Sequence, residues 1–167
     1  MRWGLLVLML LTGCRPGAPA PADAPARDVA SAPGIDIRSV DGAVIVAAAD
    51  ILEYEWATHT MTWRPGVMNR VFQARRNELI RGSPFTVCVG GRPVYRGVFT
   101  STFSSFTQKT VVIVIRVTRD FAEDEQGRLP DAAQLELGFP TQEWFAGTDP
   151  RGDPAIRVAL TAAGKLK

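Results

Sequence analysis

Apolar and polar residues alternate along much of the chain, and this alternation predicts strands. In residues 51–63, ILEYEWATHTMTW, large or aromatic side chains occupy every second position on either side of a short break. The predicted inward-facing set is Leu52, Tyr54, Trp56, His59, Met61 and Trp63. Because successive side chains of a strand point to opposite faces, each half predicts a strand with one buried and one wet face.

Two glycine-containing pairs separate further apolar runs and predict hairpins. The apolar runs are residues 35–40, 43–48, 84–89 and 92–99. Asp41-Gly42 separates the first two runs, and Gly90-Gly91 separates the other two. Glycine readily adopts the positive φ angles that tight two-residue turns require. We therefore expect an antiparallel hairpin at each pair.

Later segments supply the remaining strands and one long connection. Residues 111–117, VVIVIRV, are almost all β-branched, which is typical of a buried central strand. Residues 134–139, QLELGF, alternate and predict another strand. The polar stretch 100–110 predicts a loop, in which Phe103 and Phe106 are available to pack down onto the domain.

Two segments have helical periodicity instead. Residues 65–81 begin at a proline, carry a broad apolar face and are followed by Gly82, a typical helix terminator. That face consists of Val67, Met68, Val71, Phe72, Ala74 and Leu79. A short C-terminal helix is predicted to begin with Asp153 as its cap and Pro154 in its first turn, and to end near Gly164. Its apolar side consists of Ile156, Ala159, Leu160 and Ala163.

These elements predict an α+β fold in a single globular domain over residues 35–167. Strands dominate and are mostly joined as hairpins. We expect a largely antiparallel sheet, with the main helix packed on one face and the short helix at the C terminus.

The first residues have the composition of a secretory signal. A positive start is followed by the apolar run GLLVLMLL, which is far shorter than the roughly 20 residues that span a bilayer. The tetrapeptide LTGC that ends at Cys14 resembles the lipobox of bacterial lipoproteins. The resemblance implies removal of residues 1–13, a diacylglyceryl thioether on Cys14 and a fatty acid such as palmitate on its new amine. The alternative is an ordinary signal peptide beside a chance cysteine.

Residues 14–34 predict a lipid-anchored tether. Residues 15–33 contain five prolines and almost nothing large and apolar, so they favour extended polyproline geometry and could hold the domain roughly 50 Å from the membrane. The residue after Cys14 is Arg15 rather than an aspartate. This resembles the pattern of Gram-negative lipoproteins that are sorted by default to the outer membrane, so we expect the periplasmic face of that membrane as the location.

Charge and cysteine content narrow the range of partners. Lys plus Arg total 19 against 17 Asp plus Glu, and the loss of Arg2 with the signal would leave 18 against 17. This balance argues against nucleic acid, which demands a basic excess. If Cys14 carries lipid, Cys88 has no disulfide partner, and its place in an apolar strand predicts burial.

One segment resembles a second family. Residues 52–115 are similar in element order to the periplasmic head region of SecD-type protein-export subunits. An apolar strand, a glycine turn and a second strand match at Val87, Val89, Gly91 and Val94. The resemblance implies a related fold and a surface that meets unfolded chains. It does not imply export activity, because the transmembrane helices of SecD are missing.

The sharpest enzymatic hypothesis pairs Cys88 with His59, the single histidine, on neighbouring predicted strands. We favour a core thiol and a structural histidine, because no orienting group or oxyanion motif is visible. Glu53 and Glu55 share one strand face, as paired catalytic carboxylates do, but exposed strand positions usually only carry solvated charge. No metal or cofactor is expected, since the chain lacks clustered His or Cys ligands.

Further motifs have structural and functional interpretations. Glu123, Asp124 and Glu125 suggest a calcium loop but lack its ordered ligand spacing, so we expect a solvated turn. Arg151-Gly152-Asp153 matches an adhesion tripeptide, although Asp153 is already expected to cap a helix.

Trp144 and Phe145 lie in a loop rich in glycine and proline. They predict either a binding surface or a plug at the end of the core. The sequence as a whole favours a membrane-anchored, non-catalytic binding or envelope-assembly module whose partners are the membrane and another envelope protein. A thiol enzyme using Cys88 and His59 is the alternative.

Overall fold

The computed structural model describes residues 34–116 and 130–167, which contain eight strands and two α-helices. The strands are β1 (Ile35–Ser39), β2 (Val44–Val46), β3 (Ile51–Glu55), β4 (Thr60–Trp63), β5 (Ser83–Val89), β6 (Arg92–Ser101), β7 (Gln108–Ile115) and β8 (Ala132–Phe139). The helices are α1 (Val67–Arg75) and α2 (Pro154–Ala162). Short 3₁₀ helices occupy Ala48–Asp50 and Gln142–Trp144.

The strands form one mixed sheet in the order β2-β1-β5-β6-β7-β8-β4-β3. Every pairing is antiparallel except that of β6 with β7, which is parallel. The predicted α+β class and the largely antiparallel sheet are confirmed. The β-branched segment β7 lies inside the sheet as expected. Its buried side chains occupy both faces of the sheet: Val111, Val112, Ile113 and Ile115.

Both predicted glycine hairpins are present. Gly90 and Gly91 have φ angles of 55° and 77°, as a tight turn between β5 and β6 requires. At the first hairpin Gly42 has a φ of 88°, and its N–H donates to the carbonyl of Ser39 at 2.9 Å. Local turn chemistry therefore determines both pairings.

The prediction for Leu52 is wrong. β3 and β4 pair as expected, but the register shifts between Ile51 and Glu53. This bulge turns Ile51 and Tyr54 into the core and leaves Leu52 46% exposed. Met61 and Trp63 on β4 are buried as predicted.

The helix predicted over residues 65–81 is shorter than expected. α1 begins after Gly66, whose φ of 86° ends the preceding turn. The Asp131 carboxylate, from just before β8, accepts the N–H of Gly66 at 2.8 Å and of Met68 at 3.0 Å. Beyond α1, successive turns through Glu78 carry the chain to Gly82 and place Leu79 in the core.

The C-terminal helix matches its prediction. Asp153 Oδ1 accepts the N–H of Ala155 at 2.7 Å, Pro154 occupies the first turn, and Gly164 follows with a φ of 66°. After this turn, Tyr54 N–H donates to the Lys165 carbonyl and Lys167 N–H donates to the Tyr54 carbonyl. The last residues thus pair with the free edge of β3 and remove an unpaired strand edge.

One apolar core joins the inner face of the sheet to both helices. α1 contributes Val67, Met68 and Val71, and α2 contributes its predicted apolar side, of which Ile156, Ala159 and Leu160 are buried. Within the described residues, no helix has the length and apolar character needed to cross a membrane.

The connection between the parallel strands β6 and β7 is unusually short. Only residues Thr102–Thr107, which we call the crossover, join them, whereas parallel neighbours usually need a dozen residues or more. Phe103 and Phe106, which the sequence leaves available to pack down, are instead 67% and 48% exposed.

Three consecutive carbonyls before β5 hold the crossover and its flanks. Thr100 Oγ1 donates to Leu79 O at 3.2 Å, Ser104 Oγ donates to Ile80 O at 2.5 Å, and Gln108 Nε2 donates to Arg81 O at 3.2 Å. The polar composition of residues 100–110 therefore fastens this connection to the segment that leads into β5.

Close packing at Gly97 generates a stability prediction. A Cβ atom at Gly97 would lie 2.3 Å from Phe85 Cζ and 2.8 Å from the Val111 carbonyl oxygen. Phe85 packs against Phe99 in a tilted arrangement with ring centroids 4.7 Å apart, so its ring has little room to move. We expect Gly97→Ala to lower the free energy of unfolding by on the order of 1–3 kcal/mol in denaturant titrations.

The matched control for this variant is Gly152→Ala. A Cβ atom at Gly152 would meet nothing within 4 Å, and this glycine has no positive φ. Equal stability of the two alanine variants would contradict the packing argument.

Candidate binding surface

The adjacent aromatic residues Trp144 and Phe145 differ in how far they are buried. Trp144 ends the 3₁₀ helix after β8 and is 47% exposed, whereas Phe145 is partly buried and packs against the core. Phe145 therefore fits the interpretation as a plug at the end of the core, and Trp144 fits the interpretation as part of an exposed surface. Whether Trp144 binds a partner stays a prediction.

The turn that carries Trp144 lies directly on β8. Gly138, in β8, has a φ of 70°, and a Cβ there would lie 2.7 Å from Phe145 N and 2.8 Å from Thr141 O. The N–H of Ala146 donates to the carbonyl of Lys109 at 3.0 Å and ties the far side of the turn to β7. The indole is thus presented from an anchored turn.

A polar groove of about 260 Å³ runs beside this turn along β8. Its polar lining consists of Arg116, Gln134, Glu136, Gln142 and Arg151. Arg116 Nη2 contacts Glu136 Oε1 at 3.0 Å across the groove. Gln142 belongs both to the groove and to the turn that presents Trp144, so a polar partner in the groove would lie next to an apolar ring.

Arg151 is fixed at the edge of this groove. Its Nη1 donates to the Leu135 carbonyl at 2.6 Å, and its Nη2 contacts Asp149 Oδ2 at 2.7 Å. The hydrogen bonds from Arg151 lower the pKa of Asp149 below its ordinary value. Within the RGD tripeptide, the predicted helix-capping role of Asp153 is confirmed.

His59 belongs to a separate aromatic cluster in the turn between β3 and β4. The Tyr54 hydroxyl is hydrogen-bonded to His59 Nδ1 at 2.8 Å, and the Trp56 ring centroid lies 5.9 Å from that of His59. The guanidinium of Arg157 lies 5.5 Å from the centre of the Trp56 ring. His59 has a φ of 54°, which is uncommon for a residue with a side chain.

The two members of the hypothetical catalytic pair do not lie on neighbouring strands. Cys88 is in β5, and β6, β7 and β8 separate that strand from β4 in the sheet. Cys88 is buried and lies opposite Asp36 on β1. Burial, with a contribution from Asp36, raises the pKa of the Cys88 thiol, which disfavours the nucleophilic thiolate.

Glu53 and Glu55 each have a partner of their own. Glu53 Oε2 lies 2.7 Å from Lys167 Nζ, and Glu55 Oε2 accepts the Thr58 hydroxyl at 2.8 Å. Residues 34–116 and 130–167 contain no group of three or more metal-ligating side chains. The predicted lipidation site Cys14 and the acidic Glu123, Asp124 and Glu125 lie outside the described residues.

Comparisons of the chain with models of protein families, with curated proteins and with solved structures returned no match. The similarity to SecD-type head regions therefore stays a prediction.

Sequence reasoning missed two features that the tertiary structure creates. The first feature is the groove, whose lining side chains come from the end of β7, from β8 and from the residues that follow β8. No local sequence pattern predicts that these residues come together. The second feature is the exposure of Phe103 and Phe106, which the sequence leaves available to pack down onto the domain. Two phenylalanines spaced three apart among serines and threonines were the available signal.

The protonation of His59 provides a prediction that needs no ligand. Burial, with a contribution from Arg151, lowers the pKa of His59 below its ordinary value. The folded state therefore favours the neutral ring, and the stability this provides is present above about pH 6.5 and declines as the pH falls toward the folded-state pKa. Because the chain has one histidine, NMR titration of its imidazole should give a midpoint below 6.5.

His59→Asn serves as the control, since asparagine tolerates a positive φ but has no titrating ring. Its unfolding free energy should change less than that of the native chain between pH 7.5 and 5.5, on either side of the ordinary histidine pKa of about 6.5. A midpoint at or above the ordinary value would contradict the assignment.

Proposed function

We propose that the chain is a bacterial lipoprotein, held to a membrane of the cell envelope by lipid on Cys14. The domain of residues 35–167 serves there as a non-catalytic binding or assembly module. The partners are the membrane and another envelope protein, and the location is the periplasmic face of the outer membrane.

The single observation that carries the anchor is the LTGC sequence after a short apolar run. Each buried methylene contributes about 0.8 kcal/mol to membrane binding, so a single acyl chain holds only marginally whereas two or three hold stably. The proline-rich stretch that follows suits a spacer between that anchor and the domain.

The exposed Trp144 beside the polar groove supports the binding role. A rigidly held tryptophan next to hydrogen-bonding groups combines apolar contact area with orientation, and tryptophan is enriched among residues that dominate protein interfaces. Arg116 lines that groove, and its guanidinium keeps further N–H donors beyond the one that contacts Glu136.

The anchor is tested by intact mass and by fractionation. Native protein extracted from membranes should begin at Cys14 and carry the mass of a diacylglyceryl group plus a fatty acid. A chain with Cys14→Ser behind the signal peptide of a non-lipidated secreted protein should appear in the soluble periplasmic fraction. An unmodified terminus, or unchanged membrane association of this variant, would refute the anchor.

The binding role is tested by photo-crosslinking in living cells. A photoreactive residue at position 144 should yield a discrete higher-mass adduct, whereas the same residue at the exposed Ala162 on α2 should not. Trp144→Ala in a chain carrying the photoreactive group at the exposed Gln142 should weaken the adduct. No adduct at position 144, or equal adducts at 144 and 162, would count against Trp144 as the contact.

A further inference from the structure

Three large apolar side chains remain exposed where the crossover meets the segment before β5. Ile80, Phe103 and Phe106 have exposed fractions of 53%, 67% and 48%. The Ser104 side chain links the backbones of two of them, since Ser104 Oγ donates to the Ile80 carbonyl at 2.5 Å and accepts the Phe106 N–H at 3.2 Å, and Phe103 precedes Ser104 directly. We call Ile80, Phe103 and Phe106 the crossover patch.

The crossover patch is held in place rather than displayed on a free loop. Thr100 and Gln108 fasten the two ends of the crossover through Leu79 O and Arg81 O. Exposed apolar residues that occur singly need no explanation, but several that an anchored segment brings close together mark an interaction surface.

The charges beside the crossover patch are basic. Arg81 follows Ile80 directly, Lys109 lies three residues after Phe106, and both are exposed. Among the residues that the structure describes, neither side chain has a carboxylate within ion-pair distance. The nearby Glu78 is occupied, since it lies 3.7 Å from Arg75 Nη1 and accepts the Ser83 hydroxyl at 2.5 Å.

We propose that the crossover patch binds the surface of an anionic phospholipid bilayer. Phenylalanine and isoleucine side chains enter the boundary between headgroups and acyl chains, while Arg81 and Lys109 pair with lipid phosphates. An apolar centre flanked by cations is the arrangement that such a surface selects, because apolar burial and attraction to anionic lipid then act together.

This proposal rests on the proposed lipid anchor at Cys14, which determines the membrane that the crossover patch would meet. The predicted tether is long enough for the patch to reach that membrane. The described chain starts at Gly34, whose carbonyl accepts the N–H of Gly90 at the end of β5 opposite to Ile80 and Arg81. Seven residues of β5 span about 23 Å at roughly 3.3 Å per residue. An extended tether of residues 14–33 is longer than this, so an anchored domain can turn its crossover toward the bilayer.

The test uses an environment-sensitive fluorophore on the lipidated full-length chain. The probe is attached through Ser105→Cys, which lies between the two phenylalanines, in a Cys88→Ala background. The matched control carries it through Val158→Cys, at a position on α2 where the native side chain is 67% exposed. Both proteins are reconstituted in vesicles of phosphatidylethanolamine with phosphatidylglycerol, or of phosphatidylcholine alone.

We expect the emission at position 105 to shift to the blue and rise severalfold in the anionic vesicles, and to change little at position 158. Phe103→Ser with Phe106→Ser should abolish the response with little effect on the unfolding midpoint, because neither ring belongs to the buried core. The double variant Arg81→Gln with Lys109→Gln should weaken the fluorescence response because it removes both cations. Salt at 1 M should also weaken the response, since the Debye length then falls to about 3 Å.

Three outcomes would overturn the proposal: no response at position 105 in a protein that floats with the vesicles, equal responses at both positions, or a response at 105 only after another envelope protein is added. Failure of the anchor gives a different result. An unlipidated chain would not float with dilute vesicles, yet its probe at position 105 would still respond to an excess of anionic vesicles.

Discussion

The parallel pairing of β6 with β7 is the constraint on which the rest of the structure depends. A parallel partner requires the chain to return along the length of the strand, and here six residues accomplish it. Such a short connection cannot form a helix that would cover its own backbone. It is instead fastened by side chains to the carbonyls of Leu79, Ile80 and Arg81, and the cost of this arrangement is that Phe103 and Phe106 face solvent.

The strand order of the sheet determines which residues can act together. In a sheet ordered along the chain, β4 and β5 would be neighbours, and Cys88 would lie near His59. Because β4 pairs with β8 and not with β5, the strands β6, β7 and β8 lie between Cys88 on β5 and the β4 end next to His59. The order also brings Asp131, just before β8, to the start of α1.

Features encoded by nearby residues were predictable from the sequence. Both glycine hairpins, the buried strand β7 and the Asp153 cap each depend on signals within a few residues, and all are present. The bulge at Leu52, the early end of α1 and the exposed crossover depend on distant partners, so periodicity alone could not anticipate them. For the candidate surface, the aromatic pair was visible in the sequence, whereas the groove arises from several elements. Residues such as Arg116 and Gln142 become neighbours only in the folded sheet.

One short connection completes the sheet and, in the role we propose for it, presents an apolar, cation-flanked surface to lipid. Hydrogen–deuterium exchange on the native chain, with and without vesicles rich in phosphatidylglycerol, tests this without altering any residue. The account predicts that vesicles slow amide exchange in residues 80–82 and 102–107 and leave α2 unchanged. Slowing confined to the turn at Trp144 and the neighbouring β8 groove, with the crossover unaffected, would contradict it.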